Sequence, residues 1–507
     1  MCVALDPDPV DRRLLEGREP KWGYEGRHGH ARGRHKDVTD DWDGAQRLRD
    51  DAVSSLIASV GADAVLVDDA ISPDYWVDES LHAEPVLPSI VVLPSETAQV
   101  ASVIRIAAEH GIPITARGAG TGLSGACIPL EDGLVVSFER MAALLELDDA
   151  THVAVVQPGL TLAELDIRCA AHGLVYPIFP GTNTATLGGN VATNAGGMRA
   201  VKYGVTRHQV LGLEAVTGNG DVIRTGGRFV KSSTGYDLTQ LIIGSEGTLA
   251  LVTEATLRLH PRLTHTASLL APFSTVELVA AVIPEVVSSG VQPMILEYID
   301  RSTMKALLRS NDLVLGIPAD VASASEAYLV VVLESRTEEQ LEVDSASVAG
   351  QLARASAHDV YVLPPGQATE LLAARENAFW MVKAAGADDL IDMVVPRNRI
   401  PEYLRGVQAI GAEHHSRVFG CGHAGDGNIH FSVYQSDDER RSKLLRAIFE
   451  MGLSMGGVIS GEHGVGRAKK RYYEELEDPV KVALQRQIKA AFDPAGILNP
   501  GCIFEPA

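Results

Sequence analysis

The chain has 507 residues, which at roughly 150 residues per domain suggests two or three domains, and it carries a formal charge of −22. That acidic balance argues against a protein that grips nucleic-acid backbone through a basic face, although a local pocket can still be basic enough to hold a small anion. Hydrophobic residues make up 46% of the chain, enough for large cores, yet no run of about 18 or more apolar residues occurs that could form a spanning helix.

Residues 1–45 read as an extension. The stretch KWGYEGRHGHARGRHK (residues 21–36) is basic and rich in Gly and His, with almost nothing to bury. One reading is a disordered tail or an unusual leader; the other is a metal- or partner-binding arm. The opening residues lack the long apolar stretch of a secretory signal, since prolines and acids follow Leu5. The five cysteines, Cys2, Cys127, Cys169, Cys421 and Cys502, form no C-x-x-C pair. This excludes a visible iron–sulfur or zinc-ribbon motif, and the odd, scattered set suits a reducing, cytoplasmic setting. Residues 46–84 are expected to form an N-terminal helical segment.

Regular patterning begins near Ile90. SIVVLP reads as a strand, Ser95 as an N-cap, and Val100, Val103, Ile104, Ala107 and Ala108 recur at helical spacing up to Gly111. IPITA is a second strand, and it runs straight into the glycine loop RGAGTGLSG (residues 117–125). A short strand, GLVVSF, follows where a Rossmann fingerprint would need a helix, so this is not that motif. Such a loop can still aim backbone N–H groups at phosphate oxygens.

Two further runs share this character. FPGTNTATLGGNVATNAGGMRAVKYGV (residues 179–205) has almost no bulky residue between Thr182 and Gly197, so backbone must pass close to something flat or crowded. YDLTQLIIGSEGTLALVTEATLRL (residues 236–259) reads as a helix, a turn at Gly244 and an alternating strand.

These three runs, in this order, resemble the flavin domain of the vanillyl-alcohol-oxidase/p-cresol-methylhydroxylase superfamily. HAGDGNIH (residues 423–430), GGVISGEHGVGRAKK (456–470) and DPAGILNPGCI (493–503) resemble the FAD-linked oxidase C-terminal domain found in D-lactate dehydrogenases, glycolate oxidase D subunits and D-2-hydroxyglutarate dehydrogenases. The resemblance covers roughly residues 70–505. It implies an α+β fold: a two-lobed PCMH-type FAD-binding domain over residues 85–262, and a substrate cap with an antiparallel sheet over 263–460. Residues 461–507 would complete the active site and pack a helix back on the FAD domain.

Carried over, Gly118, Gly120, Thr121, Gly122 and Ser124 would wrap the FAD pyrophosphate. Pro180, Gly181, Gly188, Gly189, Asn194, Gly196 and Gly197 would follow the flavin and ribityl side. Glu246, Gly247 and Val252 would line an adenine-side or isoalloxazine wall, and Asn499 would return from the C-terminus to the ring. The first loop has no histidine for a covalent link, so FAD is expected to be dissociable.

A seven-residue spacing between histidines is ambiguous alone, but in a turn-to-strand segment it can bring both rings to one centre. Imidazoles with a carboxylate suit zinc and similar divalent ions and leave positions open for substrate. The resemblance assigns these roles to His423, His430 and Glu462, with His463 as general base, and zinc or manganese as the expected ion. Asp426 is expected to fix the turn or to orient a ligand from behind it, and Cys421 is a competing ligand. Arg375, in AARENAFWM, would pair with the substrate carboxylate. Relatives that handle dicarboxylates carry a lysine shortly before the aspartate of D-x-x-x-P. Here that aspartate is Asp392 and the site reads Leu390, which puts a 2-hydroxyglutarate-like substrate in doubt unless Lys383 or Arg397 compensates.

The implied activity is oxidation of a D-2-hydroxy acid, D-lactate, glycolate or similar, by metal-assisted hydride transfer to flavin N5. Electrons would pass to a quinone, a cytochrome or an electron-transfer flavoprotein. An O2-using oxidase of the same superfamily acting on another alcohol, and an electron-relaying flavoprotein subunit, are the alternatives. A homodimer and peripheral contact with a membrane are both compatible with the sequence.

Overall fold

The computed structural model describes residues 39–81, 84–310 and 312–505, so the basic, His-rich arm lies outside the described residues. The chain divides into two compact units, residues 1–48 and 49–507, and the second holds all of the sheets. Helix Thr39–Val60 begins inside the stretch expected to be an extension. The stretch expected to be helical up to residue 84 instead continues as short 3-10 turns and the strand Val65–Val67. That strand pairs antiparallel with Ile90–Val92, and the pairing overrides the weak helical pattern.

Ile90–Val92 and Ile114–Arg117 are the two strands read from the sequence around helix Thr97–His110. They do not touch each other, because Leu134–Ser137 lies between them, parallel to both. Helix Thr97–His110 starts two residues beyond Ser95: Glu96 holds the N-cap position, while Ser95 binds the Gln99 side chain through its N–H at 2.8 Å. Gly111 closes the helix in the left-handed conformation, as its position suggested.

A second sheet has five antiparallel strands, ordered Leu144–Asp148, Val153–Val156, Ala250–Arg258, Val210–Thr217 and Val222–Gly226. The third has seven: Tyr361–Leu363, His265–Phe273, Ala327–Ser335, Ile295–Asp300, Arg417–His423, Asn428–Tyr434 and Asp389–Val394, all antiparallel. AYLVVVLES is its strand Ala327–Ser335, apolar without alternation because both faces are buried. Leu329, Val331 and Leu333 join one core, and Tyr328, Val330 and Val332 the other.

The C-terminus returns to the first sheet. After helix Pro479–Phe492, Ile114 donates to Ile497 O and accepts from Asn499 N, each at 2.7 Å, extending that sheet's edge. Lys489 Nζ donates to Thr248 O and Leu498 O at 2.7 Å each, which ties the helix to the loop before Ala250–Arg258.

Candidate functional site

The hairpin of Arg417–His423 and Asn428–Tyr434 carries both histidines of HAGDGNIH. Its register pairs Cys421 with His430 and His423 with Asn428. On one side His423 lies opposite Glu297; on the other His430 lies opposite Asp392. Four strands about 4.8 Å apart thus set four polar side chains in adjacent rows. The turn closes through N–H bonds from Asp426 and Gly427 to His423 O, each 3.1 Å, with Gly427 at a φ of 92° that a side chain would resist. Asp426 accepts Asn428 N at 3.1 Å, so it fixes the turn as expected, and burial pushes its carboxyl up to about 7.

Glu462 enters from the loop after the last cap helix. One oxygen, Oε1, lies 3.1 Å from His423 Nε2 and 3.2 Å from His430 Nε2. These three donor atoms lie within 4.8 Å of one another, and two imidazole nitrogens with one carboxylate oxygen fit a divalent ion such as zinc. His423 Nδ1 is held by Glu297 Oε1 at 2.5 Å, which orients the ring so that Nε2 faces the centre. Burial disfavours a charged His423, but Glu297 and Glu462 outweigh it and raise its pKa well above the ordinary value. Burial likewise opposes ionisation of Glu462, and the two histidines overcome it and hold the carboxyl far below its usual range.

His463 stacks on His430, ring centroids 5.1 Å apart and 12° from parallel. Burial lowers its pKa to about 4 despite Asp392, so the ring is neutral near pH 7. Asp392, fully buried, organises the loop: its Oδ2 accepts Ser460 Oγ and the backbone amides of Gly461, Glu462 and His463. Burial opposes its ionisation, and its neighbours His463, Lys469 and His430 together with the Ser460 hydroxyl overcome it and hold the carboxyl well below its usual range. A second set of donor atoms, on Asp392, His430 and His463, also falls within ligating distance. Asp392 is the poorer ligand there, because its oxygens are already engaged by Asn428, Ser460 and three amides.

Arg375 is buried, not solvated, and pairs with Glu297 Oε2 at 2.9 Å. Its Nη2 has no hydrogen-bond partner among the described residues, and the side chain lines the same cavity of about 110 Å³ as His423, His430, Glu462 and His463. Cys421 lines it too, but burial pushes its thiol up to about 11, which disfavours a thiolate ligand. Lys383 is tied to Glu79 at 3.0 Å, and Arg397 lies exposed in a short turn, so neither reaches the cavity; Leu390 does.

The glycine runs meet in two places. Gly118, Gly188, Gly189, Glu246, Gly247 and Val252 line a separate groove of about 70 Å³, close-packed enough that a Cβ on Gly118 would fall 2.1 Å from Thr186 Oγ1. Such a bare backbone cradle fits a cofactor with a pyrophosphate. Pro180, Gly181 and Gly197 instead line the cavity with the histidines, and a Cβ on Gly196 would meet Glu462 Oε2 at 2.8 Å.

The remaining expected FAD residues sit elsewhere. The Arg117 guanidinium stands over Gly120, Gly122 faces Asp78, and Thr121 lines neither space. Ser124 Oγ donates to His463 O at 2.8 Å, linking the first loop to the histidine loop. Asn194 caps its short helix and accepts Arg207 N at 3.0 Å. Asn499 returns from the C-terminus, where its Nδ2 donates to Ala126 O and Glu246 O. Sequence reasoning missed Glu297 and used Asp392 only as a landmark. The available signal for Glu297 was an acid set between Leu296 and Tyr298 in the interior of the strand ILEYID, which ends in a second acid, Asp300.

The fold is that of a two-lobed flavin domain with a cap. It superposes on the solved structure of p-cresol methylhydroxylase with substrate bound at a TM-score of 0.74 and 20% identity, over 91% of this chain and 98% of that one. Residues 88–226 match the FAD binding domain family, and residues 262–503 match the family of FAD linked oxidases, C-terminal domain. An uncharacterised FAD-linked oxidoreductase of Mycobacterium tuberculosis is 54% identical over 88% of this chain and 97% of its own length. A D-lactate dehydrogenase of Archaeoglobus fulgidus is 39% identical, over 81% of this chain and 90% of its own. The chain belongs to the FAD-linked oxidoreductase family.

Proposed function

We propose that this chain is a FAD-dependent dehydrogenase that oxidises a D-2-hydroxy acid such as D-lactate or glycolate to the 2-oxo acid. Electrons would leave to a quinone, a cytochrome or an electron-transfer flavoprotein. The observation that carries the reading is the convergence of His423 Nε2 and His430 Nε2 on one oxygen of Glu462, with His463 stacked beside them. When bound, a zinc or manganese ion on these three side chains would acidify the substrate hydroxyl, and FAD along the glycine-lined groove would accept the hydride.

The chain's own residues supply the rest. Arg375, with Nη2 free of hydrogen-bond partners among the described residues, pairs with the substrate carboxylate. His463 takes the hydroxyl proton at Nε2, because Nδ1 is the atom turned towards Asp392, 3.8 Å away. Glu297 holds both His423 and Arg375, so one buried acid aligns a metal ligand with the carboxylate anchor. The D-lactate dehydrogenase relative supports the substrate class.

A screen of D- and L-2-hydroxy acids with dye reduction, alongside metal analysis of the purified protein, tests the proposal. Reduction by D-acids with about one divalent ion per chain is the expected result. Turnover of a phenol or simple alcohol by metal-free protein would instead support an oxidase.

A further inference from the structure

Between strand Val222–Gly226 and helix Leu238–Ile242 the chain reads GRFVKSSTGYD (residues 227–237), a loop of small and hydroxyl residues with two aromatic ones, Phe229 and Tyr236. Gly235 turns it at a φ of 77°, with open space where a Cβ would stand. The loop walls a cavity of about 430 Å³ together with Arg207, His208, Arg224 and Arg258. That volume falls within the roughly 300–1,000 Å³ of small-molecule sites. The cavity shares no lining residue with the histidine cavity or with the glycine-lined groove. Helix Leu238–Ile242 stands between it and the groove: Leu238, Thr239 and Gln240 line this cavity, and Ile242 lines the groove.

The lining is basic in an acidic chain. Three arginines and a histidine stand against one acid, Asp237, whose Oδ1 already accepts Gln240 N at 3.1 Å. Arg224 is paired with Glu214. Arg207 and Arg258 have no ion-pair partner among the described residues, and Arg207 Nε is buried without a hydrogen-bond acceptor. A buried donor left unpaired costs free energy until an acceptor meets it. A chain of net charge −22 has acids in excess to pair its arginines, so two left unpaired on one cavity mark a place for an anion from outside.

The aromatic residues add a second requirement. Tyr236 is 95% exposed and Phe229 51% exposed, and both belong to this lining. Flat side chains left open to water beside guanidinium groups suit a ligand that joins a planar ring to phosphate. The ring stacks on an aromatic face, and each guanidinium can grip a phosphate through two N–H groups. Ser232 and Thr234, on the same lining, supply hydroxyls for the sugar between them.

We infer that this cavity binds a nucleoside diphosphate, its phosphates on Arg207 and Arg258 and its base against Tyr236. The site is separate from the flavin groove, and the inference is independent of the 2-hydroxy-acid reading above.

Calorimetric titration of the FAD-loaded protein with ADP, adenosine and inorganic phosphate, at one fixed ionic strength, tests it. ADP is expected to bind at about one per chain and at least about tenfold more tightly than adenosine or phosphate, because it alone engages both the arginines and the aromatic ring. Arg207→Gln and Arg258→Gln should each weaken ADP by about tenfold or more, with FAD content unchanged. Tyr236→Ala should weaken ADP and leave phosphate binding as it was; a side chain 95% exposed contributes little to the fold, so this variant keeps the test open if an arginine variant fails to fold. No ADP binding to the loaded protein overturns the inference. Equal affinity for ADP and phosphate overturns it too, since that makes the cavity a plain anion site. ADP binding that appears only after FAD is removed also overturns it, since that places the nucleotide in the glycine-lined groove.

Discussion

Asp392 accepts the backbone N–H of His463 at 2.8 Å, through the same carboxylate oxygen that takes Ser460 Oγ at 2.7 Å and the amides of Gly461 and Glu462 at 3.1 Å each. A single buried charge in the cap sheet therefore fixes the loop that carries Glu462 and His463, the proposed third ligand and the proposed base. Removing the charge leaves four donors without a full anion, and Lys469 without the counter-charge 3.6 Å away. Asp392→Asn should destabilise the fold by about 3–5 kcal/mol, as breaking a buried charged network does. It should also slow flavin reduction while FAD content stays near one per chain. Urea unfolding and flavin absorbance check this; unchanged stability would show that the loop is held by other contacts.

His463→Asn should separate proton transfer from metal binding. The variant keeps Glu462 and both ring ligands, and loses the proton acceptor. Flavin reduction by a D-2-hydroxy acid should slow by about 10²- to 10⁴-fold with metal and FAD content unchanged. His430→Asn should instead lose the metal, since it removes one of three donor atoms. Stopped-flow flavin bleaching and metal analysis distinguish the two, and a wild-type rate in His463→Asn would assign the base elsewhere.

Chelation should abolish turnover and leave FAD in place, because the ligand cluster and the groove lined by Gly118, Gly188 and Gly189 are separate spaces. Zinc or manganese should restore activity. Acid precipitation should release all the flavin into the supernatant, because RGAGTGLSG contains no histidine for a covalent bond. Full activity after verified metal removal, or flavin retained in the pellet, contradicts the corresponding half.

Glu246 links the glycine-lined groove to the histidine loop by accepting Val465 N at 2.8 Å and Gly466 N at 2.9 Å, and burial pushes its carboxyl from 4.5 up to about 6. A carboxyl raised on folding stabilises the fold fully below the unfolded value of 4.5 and loses that contribution as pH rises through about 6. The loss is about 2 kcal/mol, at 1.36 kcal/mol per pKa unit. Glu246→Gln does not titrate, so the stability of wild type relative to variant should fall by about 2 kcal/mol between about pH 4 and pH 7.5. Denaturant titrations across that range measure it, and a difference independent of pH would show that the carboxyl is not raised.

The sequence by itself determined the parts whose signals are local. Glycine runs with no bulky residue announce backbone that packs closely around a groove, helical and alternating periodicities place Thr97–His110 and Ala250–Arg258, and HAGDGNIH with GEHG names the residues that converge on one centre. The tertiary structure alone decided what depends on strand register and long-range return. Glu297 faces His423 and Asp392 faces His430 because antiparallel neighbours more than thirty positions apart in the chain are aligned residue for residue, and no local pattern encodes that alignment. The same holds for Arg375, which reads as an ordinary helix arginine until the fold buries it against Glu297, and for Ser124, whose hydroxyl is drawn from the first glycine loop to His463 O. Burial and fixed neighbours then set the electrostatics: the imidazole of His463 is held neutral and the carboxylate of Glu462 strongly ionised, the states that the proposed base and ligand roles need.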